Sequence, residues 1–202
     1  MNRKLVYTYM VILTGVTIFA CSQKLRQVEQ QVDNYTEKYT VNTESGLKEG
    51  TYIKYDASGK IMEESVYLDD VLHGVRKLYD TSGQVVIEEH YNHGNFAGDY
   101  KTYYPNGRIE MEGNYQEGAM SGVWKRYYQG GQLMEEVAFS GNKENGPFKE
   151  YYENGNIKAE GSYLNGPKED GELKLYDEQG TLVKKMECSD GVCHTTWQAE
   201  SN

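Results

Sequence analysis

Three cysteines and four histidines are the residues best equipped for nucleophilic, redox or metal chemistry in this chain. Cys188 and Cys193 bracket Ser189-Asp190-Gly191-Val192. Asp-Gly is a strong signal for a two-residue hairpin turn. Such a turn pairs Ser189 with Val192 and sets Cys188 opposite Cys193, so an oxidising compartment would close the pair as a disulfide. The rival chemistry is a metal site that adds His194, but a structural zinc site uses four ligands and no fourth is evident. His90 and His93 would fall on opposite faces of one strand or sit at its end, a poor metal pair. The adjacent acids Glu63-Glu64, Glu88-Glu89 and Glu135-Glu136 also alternate sides, so nearness in sequence does not make them acid–base dyads. No nucleophile stands with a base. The expectation is a protein without catalytic residues, metal or cofactor.

The elements that carry these residues repeat. Glycines open successive units at Gly50, Gly74, Gly98, Gly122, Gly146 and Gly171. Five positions after each stands a tyrosine: Tyr55, Tyr79, Tyr103, Tyr127, Tyr151 and Tyr176. Nine after stands a second glycine: Gly59, Gly83, Gly107, Gly131, Gly155 and Gly180. Eleven after is aliphatic: Ile61, Val85, Ile109, Leu133, Ile157 and Leu182. A glutamate column follows at Glu64, Glu88, Glu112, Glu136 and Glu160, and then an aromatic column at Tyr67, Tyr91, Tyr115, Phe139 and Tyr163, completed by Cys188. Lysines recur at Lys77, Lys101, Lys125, Lys149 and Lys174. A fixed period of this kind marks a repeat architecture.

The second glycine identifies the turn. In Tyr104-Pro105-Asn106-Gly107, and in the equivalent slots with Ser58 or Ser82, only the last loop residue is always glycine. A two-residue turn of type I′ would need positive φ at the middle residue as well, so a three-residue loop with a glycine bulge fits better. That loop places Tyr103 opposite Ile109 and Tyr151 opposite Ile157, favourable cross-strand pairs. Plain alternation then puts Tyr115 and Tyr163 on the same face as those pairs. The aromatics two after the opening glycine, Tyr52, Tyr100, Trp124 and Phe148, have the opposite parity. Either a bulge turns them inward or they cover the second face. Three or four large side chains are too few to offset the ordering of one unit, so stacked neighbours must share a core. The expected fold is all-β, an elongated sheet of stacked hairpins over residues 46–193, with the glutamate column paired to lysines on a solvated face.

The flanks differ from the repeats. Arg3 and Lys4 lead into an uncharged stretch over residues 5–20, too short for a membrane span but fitting for a signal peptide. Ile18-Phe19-Ala20-Cys21 resembles a bacterial lipobox, which implies removal of residues 1–20 and lipidation of Cys21 as the new first residue. Retention of the stretch as an anchor is the alternative. Both place the rest in the cell envelope, facing the periplasm or exterior. Residues 22–45 read as a tether, with a three-four spacing at Leu25, Val28, Val32, Tyr35 and Tyr39 that permits a short amphipathic helix. Residues 194–202 read as a fraying tail.

The chain carries a formal net charge of −10, which becomes −12 without Arg3 and Lys4. That balance argues against nucleic acid or an anionic membrane surface as a partner and suits a basic protein. The stretch from Tyr115 to Leu133, with Gly122-Val123-Trp124-Lys125-Arg126-Tyr127-Tyr128 at its centre, resembles the MORN-repeat variant of YwqK-type antitoxin proteins. The resemblance implies a β-hairpin scaffold that binds another protein, in that family a toxin to be neutralised. The alternative reading is a structural spacer in the envelope, and stacking of copies through an uncapped first repeat is open to both.

Overall fold

The computed structural model describes residues 24–200; the expected signal segment and Cys21 lie outside the described residues. The chain forms β1 (Leu25–Val32), β2 (Tyr35–Asn42), β3 (Lys48–Asp56), β4 (Ile61–Leu68), the short β5 (Val71–Leu72), β6 (Gly74–Tyr79), β7 (Val85–Asn92) and β8 (Asn95–Tyr103). It continues through β9 (Ile109–Gln116), β10 (Ala119–Tyr127), β11 (Leu133–Ser140), β12 (Lys143–Tyr151), β13 (Ile157–Tyr163), β14 (Gly171–Tyr176), β15 (Leu182–Ser189) and β16 (Val192–Gln198). All sixteen strands belong to one antiparallel sheet that follows chain order, with β5 attached to β4 and β1 and β16 at the ends. The all-β sheet of stacked hairpins is therefore the fold. Among the described residues no helix is long and apolar enough to cross a membrane.

Two kinds of turn alternate along the sheet. One edge carries the glycine-bulge loops. In the first, Gly59 N–H donates to the Asp56 carbonyl (3.0 Å), Asp56 N–H donates to the Lys60 carbonyl (2.8 Å), and Gly59 has φ +84°. The other edge carries two-residue turns whose residues both have positive φ: Asp69-Asp70, His93-Gly94, Glu117-Gly118, Gly141-Asn142 and Asp190-Gly191. These are type I′ turns, whose twist matches the strands they join.

Beyond each glycine-bulge loop, the returning strand shifts register by one residue. Tyr103 faces Ile109 and Tyr151 faces Ile157, but the next pairs inward are Thr102 with Met111 and Glu150 with Ala159. The unpaired extra residue reverses parity on the returning strand. Tyr115 and Tyr163 consequently lie on the face opposite Tyr103 and Tyr151, correcting the single-stripe expectation. They join Trp124 and Phe148 on the second face, with ring centroids 5.2 Å apart for Tyr115–Trp124 and 4.3 Å for Phe148–Tyr163. The bulge that decides this sits just beyond the aliphatic column, where the sequence shows only an ordinary strand.

A second distortion bends every unit. Glu89 pairs with Tyr100 and Tyr91 with Phe96, so a two-residue advance on β7 meets a four-residue advance on β8. The same skip occurs between β9 and β10 and between β11 and β12. The opening glycines lie inside these skips with positive φ, as at Gly98 (+99°) and Gly146 (+120°). Extra residues of this kind bend a strand and raise its twist.

Two flanking segments depart from expectation. Residues 25–42 form a hairpin in the sheet instead of a helix or tether, with eight cross-strand pairs from Leu25–Asn42 to Val32–Tyr35. The three-four spacing was outweighed by β2 pairing onto the first repeat, where Tyr39 faces Tyr52. Residues 192–198 add a final strand on β15, so most of the expected tail is ordered.

Candidate functional site

The two faces of the sheet have different chemistry. On the first face lysines and glutamates alternate from strand to strand. Lys77 lies between Glu64 and Glu88, Lys101 between Glu88 and Glu112, and Lys125 between Glu112 and Glu136. Lys149 lies between Glu136 and Glu160, and Lys174 follows Glu160. Close ion pairs form at Lys77–Glu88 and Lys174–Glu160, both 3.4 Å. The lysines were expected, but the tyrosine column is a second partner. Tyr79 donates to Glu64 (2.7 Å), Tyr127 to Glu112 (2.6 Å), Tyr151 to Glu136 (2.8 Å) and Tyr176 to Glu160 (2.8 Å). Each bond joins one unit to the preceding one. Burial, then the hydrogen bond to glutamate, pushes Tyr79, Tyr127 and Tyr151 up to about 12. In return, the bond from Tyr176 holds the Glu160 carboxyl below its usual range.

The repeat columns named from the sequence are half-buried on this face: Tyr55, Tyr79, Tyr103, Tyr127, Tyr151 and Tyr176, with Ile61, Val85, Ile109, Leu133, Ile157 and Leu182. The deepest apolar positions include Tyr52, Trp124, Val137, Phe148 and Ala159. All five lie on the second face. The turn glycines at Gly83, Gly107, Gly131, Gly155 and Gly180 repeat the Gly59 geometry, with φ between +79° and +96°.

The loop edge holds a further inter-unit bond that sequence reasoning missed. The Tyr104, Tyr128 and Tyr152 hydroxyls donate to the carbonyls of Tyr127, Tyr151 and Tyr176 (2.7, 2.7 and 2.8 Å). Where aspartate replaces this tyrosine, its carboxylate closes its own loop instead. Asp80 accepts from the backbone N–H groups of Ser82 (2.8 Å) and Gln84 (3.0 Å). The doubled tyrosine in Tyr127-Tyr128 and Tyr151-Tyr152 was the available signal, since adjacent strand residues must serve opposite faces.

The second face carries a run of aromatic rings. Tyr91, Phe96, Tyr115, Trp124 and Phe139 touch in order, with centroids 4.7, 4.8, 5.2 and 6.0 Å apart. Gly113 makes this possible, because a Cβ there would stand 2.1 Å from the Trp124 ring. Beside the run lies a groove of about 270 Å³ lined by Met111, Met120, Trp124, Phe139 and Tyr163, with Arg126 and Glu135 also lining it. In the second unit Arg76 occupies the aromatic slot. It bonds to Glu63 (2.9 Å) and Glu89 (3.3 Å), while Tyr91 donates to Glu89 (3.0 Å).

Cys188 and Cys193 face each other and are joined by a disulfide, S–S 2.00 Å. Both sulfurs are therefore committed, and His194 has no thiolate pair to complete. His73 and His93 meet across adjacent units with ring centroids 4.9 Å apart, a contact that their sequence separation hid. Among the described residues no group of three or more His, Cys, Asp or Glu is placed to hold a metal ion.

The model of the MORN repeat variant matches residues 48–69, 72–93, 97–117, 120–140 and 144–165. The chain belongs to this MORN repeat family. The five matched segments cover the units opened by Gly50 to Gly146. The sixth unit lies outside the match but repeats the MORN pairing, with Gly171 opposite Cys188 and Tyr176 opposite Leu182. No curated protein matches the chain. Among solved structures, a porin-like protein from Bacteroides uniformis aligns at 9% identity over 85% of this chain and 92% of that one, with a TM-score of 0.22.

Proposed function

We propose that this MORN repeat protein is a non-catalytic scaffold that binds another protein on its aromatic face. The observation that carries this reading is the groove of Met111, Met120, Trp124, Phe139 and Tyr163 beside Arg126 and Glu135. Aromatic residues, methionine and arginine are enriched at protein interfaces, and buried anchors carry most of the binding energy. The partner that fits brings an apolar anchor for the groove and a basic surface for a chain of net charge −10. The finer form of the reading is neutralisation of a basic toxin at the cell envelope, with the scaffold held by a lipid on Cys21. It rests on the likeness to YwqK-type antitoxins and on the lipobox-like Ile18-Phe19-Ala20-Cys21.

The test is capture from native envelopes by the full chain, at low and high salt, beside a Met120→Lys variant. Met120 is half-buried in the groove wall. The expected result is one basic protein held at low salt, weakened at high salt and lost with Met120→Lys. Capture unaffected by the substitution would remove the groove from the reading. Recovery of structural envelope components alone would favour a spacer role.

A further inference from the structure

The two ends of the sheet are built differently. β16 carries a register shift against β15 and is pinned by the Cys188–Cys193 disulfide. Bulges of this kind blunt a sheet edge against further pairing. β1 has no such device. Its eight residues run in unbroken register against β2, and Leu25-Arg26-Gln27-Val28-Glu29-Gln30-Gln31-Val32 contains neither proline nor glycine. Its two charges are Arg26 and Glu29, and Glu29 is already paired with Lys38 at 3.2 Å.

The turn fixes which backbone groups face outward. Val32 and Tyr35 flank a two-residue loop, so they form a hydrogen-bonded pair, as do alternate pairs along the hairpin. The bond from Thr43 N–H to the Lys24 carbonyl (2.8 Å) keeps the same phase. Leu25, Gln27, Glu29 and Gln31 therefore direct their N–H and C=O groups away from β2. Among the described residues no strand pairs with that side.

We propose that β1 is a self-association edge, on which two copies pair β1 to β1 antiparallel about a two-fold axis at Val28. The sequence of β1 is self-complementary in this register. Gln27 faces Glu29 of the partner subunit, Leu25 faces Gln31 of the partner subunit, and Arg26 faces Gln30 of the partner subunit. Val28 meets its own copy. No like charges are opposed, whereas a shift of the axis by one residue to Glu29 would set two carboxylates against each other. The axis stands perpendicular to the sheet, so each face continues across the junction, and the closed symmetry stops growth at two copies. The inference goes beyond the partner-binding reading, because it uses the edge and neither face.

The geometry sets the test. Val28 and its copy form a pair without mutual hydrogen bonds, with Cα atoms about 4.5 Å apart, within reach of a disulfide. Gln30 and its copy lie about 14 Å apart along the strands, out of reach. The full chain in detergent, carrying Val28→Cys, should oxidise to a cross-linked dimer, and Gln30→Cys should not. Gln27→Pro removes an outward N–H and leaves the bonds to β2 intact, as proline on an edge strand can. It should raise the dimer dissociation constant about tenfold or more, through two lost hydrogen bonds, with the melting temperature of the dilute monomer unchanged. A parent chain that sediments as a monomer at tens of micromolar, equal cross-linking at both cysteines, or a Gln27→Pro dimer as tight as the parent's would each overturn the proposal.

Discussion

The tyrosine–glutamate bond is the smallest unit of cohesion between repeats. Its strength comes from an ionised acceptor, which roughly doubles the worth of a hydrogen bond, reduced here by partial exposure of both groups. Tyr127→Phe is expected to cost about 1 kcal/mol and Glu112→Gln to cost a similar amount, with the double variant costing less than their sum. Additive losses in chemical denaturation would show that the bond at 2.6 Å does not couple the two units. Burial of these tyrosines, together with the same bonds, sets an alkaline limit. Tyr79, Tyr127 and Tyr151 are raised to about 12 in the folded chain, while unfolded tyrosine titrates near 10. Above pH about 10 the unfolded state holds fewer protons than the folded one, so stability falls as pH rises. The contribution is whole below pH about 10 and is lost as pH passes about 12. Tyrosinate absorbance followed with the melting temperature across that window checks it, and a flat melting temperature would contradict it.

At the scale of the element, small residues decide where large ones fit. Gly113 stands opposite Tyr100 on β8, and its missing side chain is the space that Trp124 fills. Gly113→Ala would force an added methyl onto the indole, at a cost of about 1–3 kcal/mol and with a shift in tryptophan fluorescence. Gly107→Ala acts through the backbone alone, since φ is +79° and nothing lies within 4 Å of an added Cβ. It should cost about 1–2 kcal/mol and leave the fluorescence unchanged. The role of Gly107 was legible because the loop repeats in every unit. That of Gly113 was not, because its column holds Ser65, Glu89, Val137 and Gly161 in other units and its meaning depends on a ring from the next strand. The Arg76 cluster was hidden in the same way. A lone arginine in an aromatic column becomes readable only when Glu63 and Glu89 are seen on either side.

Over the whole molecule, the sheet follows chain order, so each unit is held by its neighbours. Stability in such arrays is close to a sum of unit and interface terms, and the ends open first. The Cys188–Cys193 bond spans a short loop and is expected to contribute about 2 kcal/mol, confined to the last hairpin. Replacing both cysteines with alanine should speed amide exchange in β15 and β16 and leave Trp124 and its strand protected. Uniform acceleration through all units would show instead that the array unfolds as one body.

The sequence by itself determined the period, the loop type, the Tyr103–Ile109 and Tyr151–Ile157 pairs and the opposition of Cys188 with Cys193. Each is a local consequence of turn residues, and turn geometry propagates along a strand without help from distant contacts. Tertiary structure decided which face each column occupies, because one bulged residue reverses parity and leaves no mark in composition. It also decided that residues 25–42 are strands. A short segment with competing periodicities takes its conformation from what it packs against, and here that is the open edge of the first repeat.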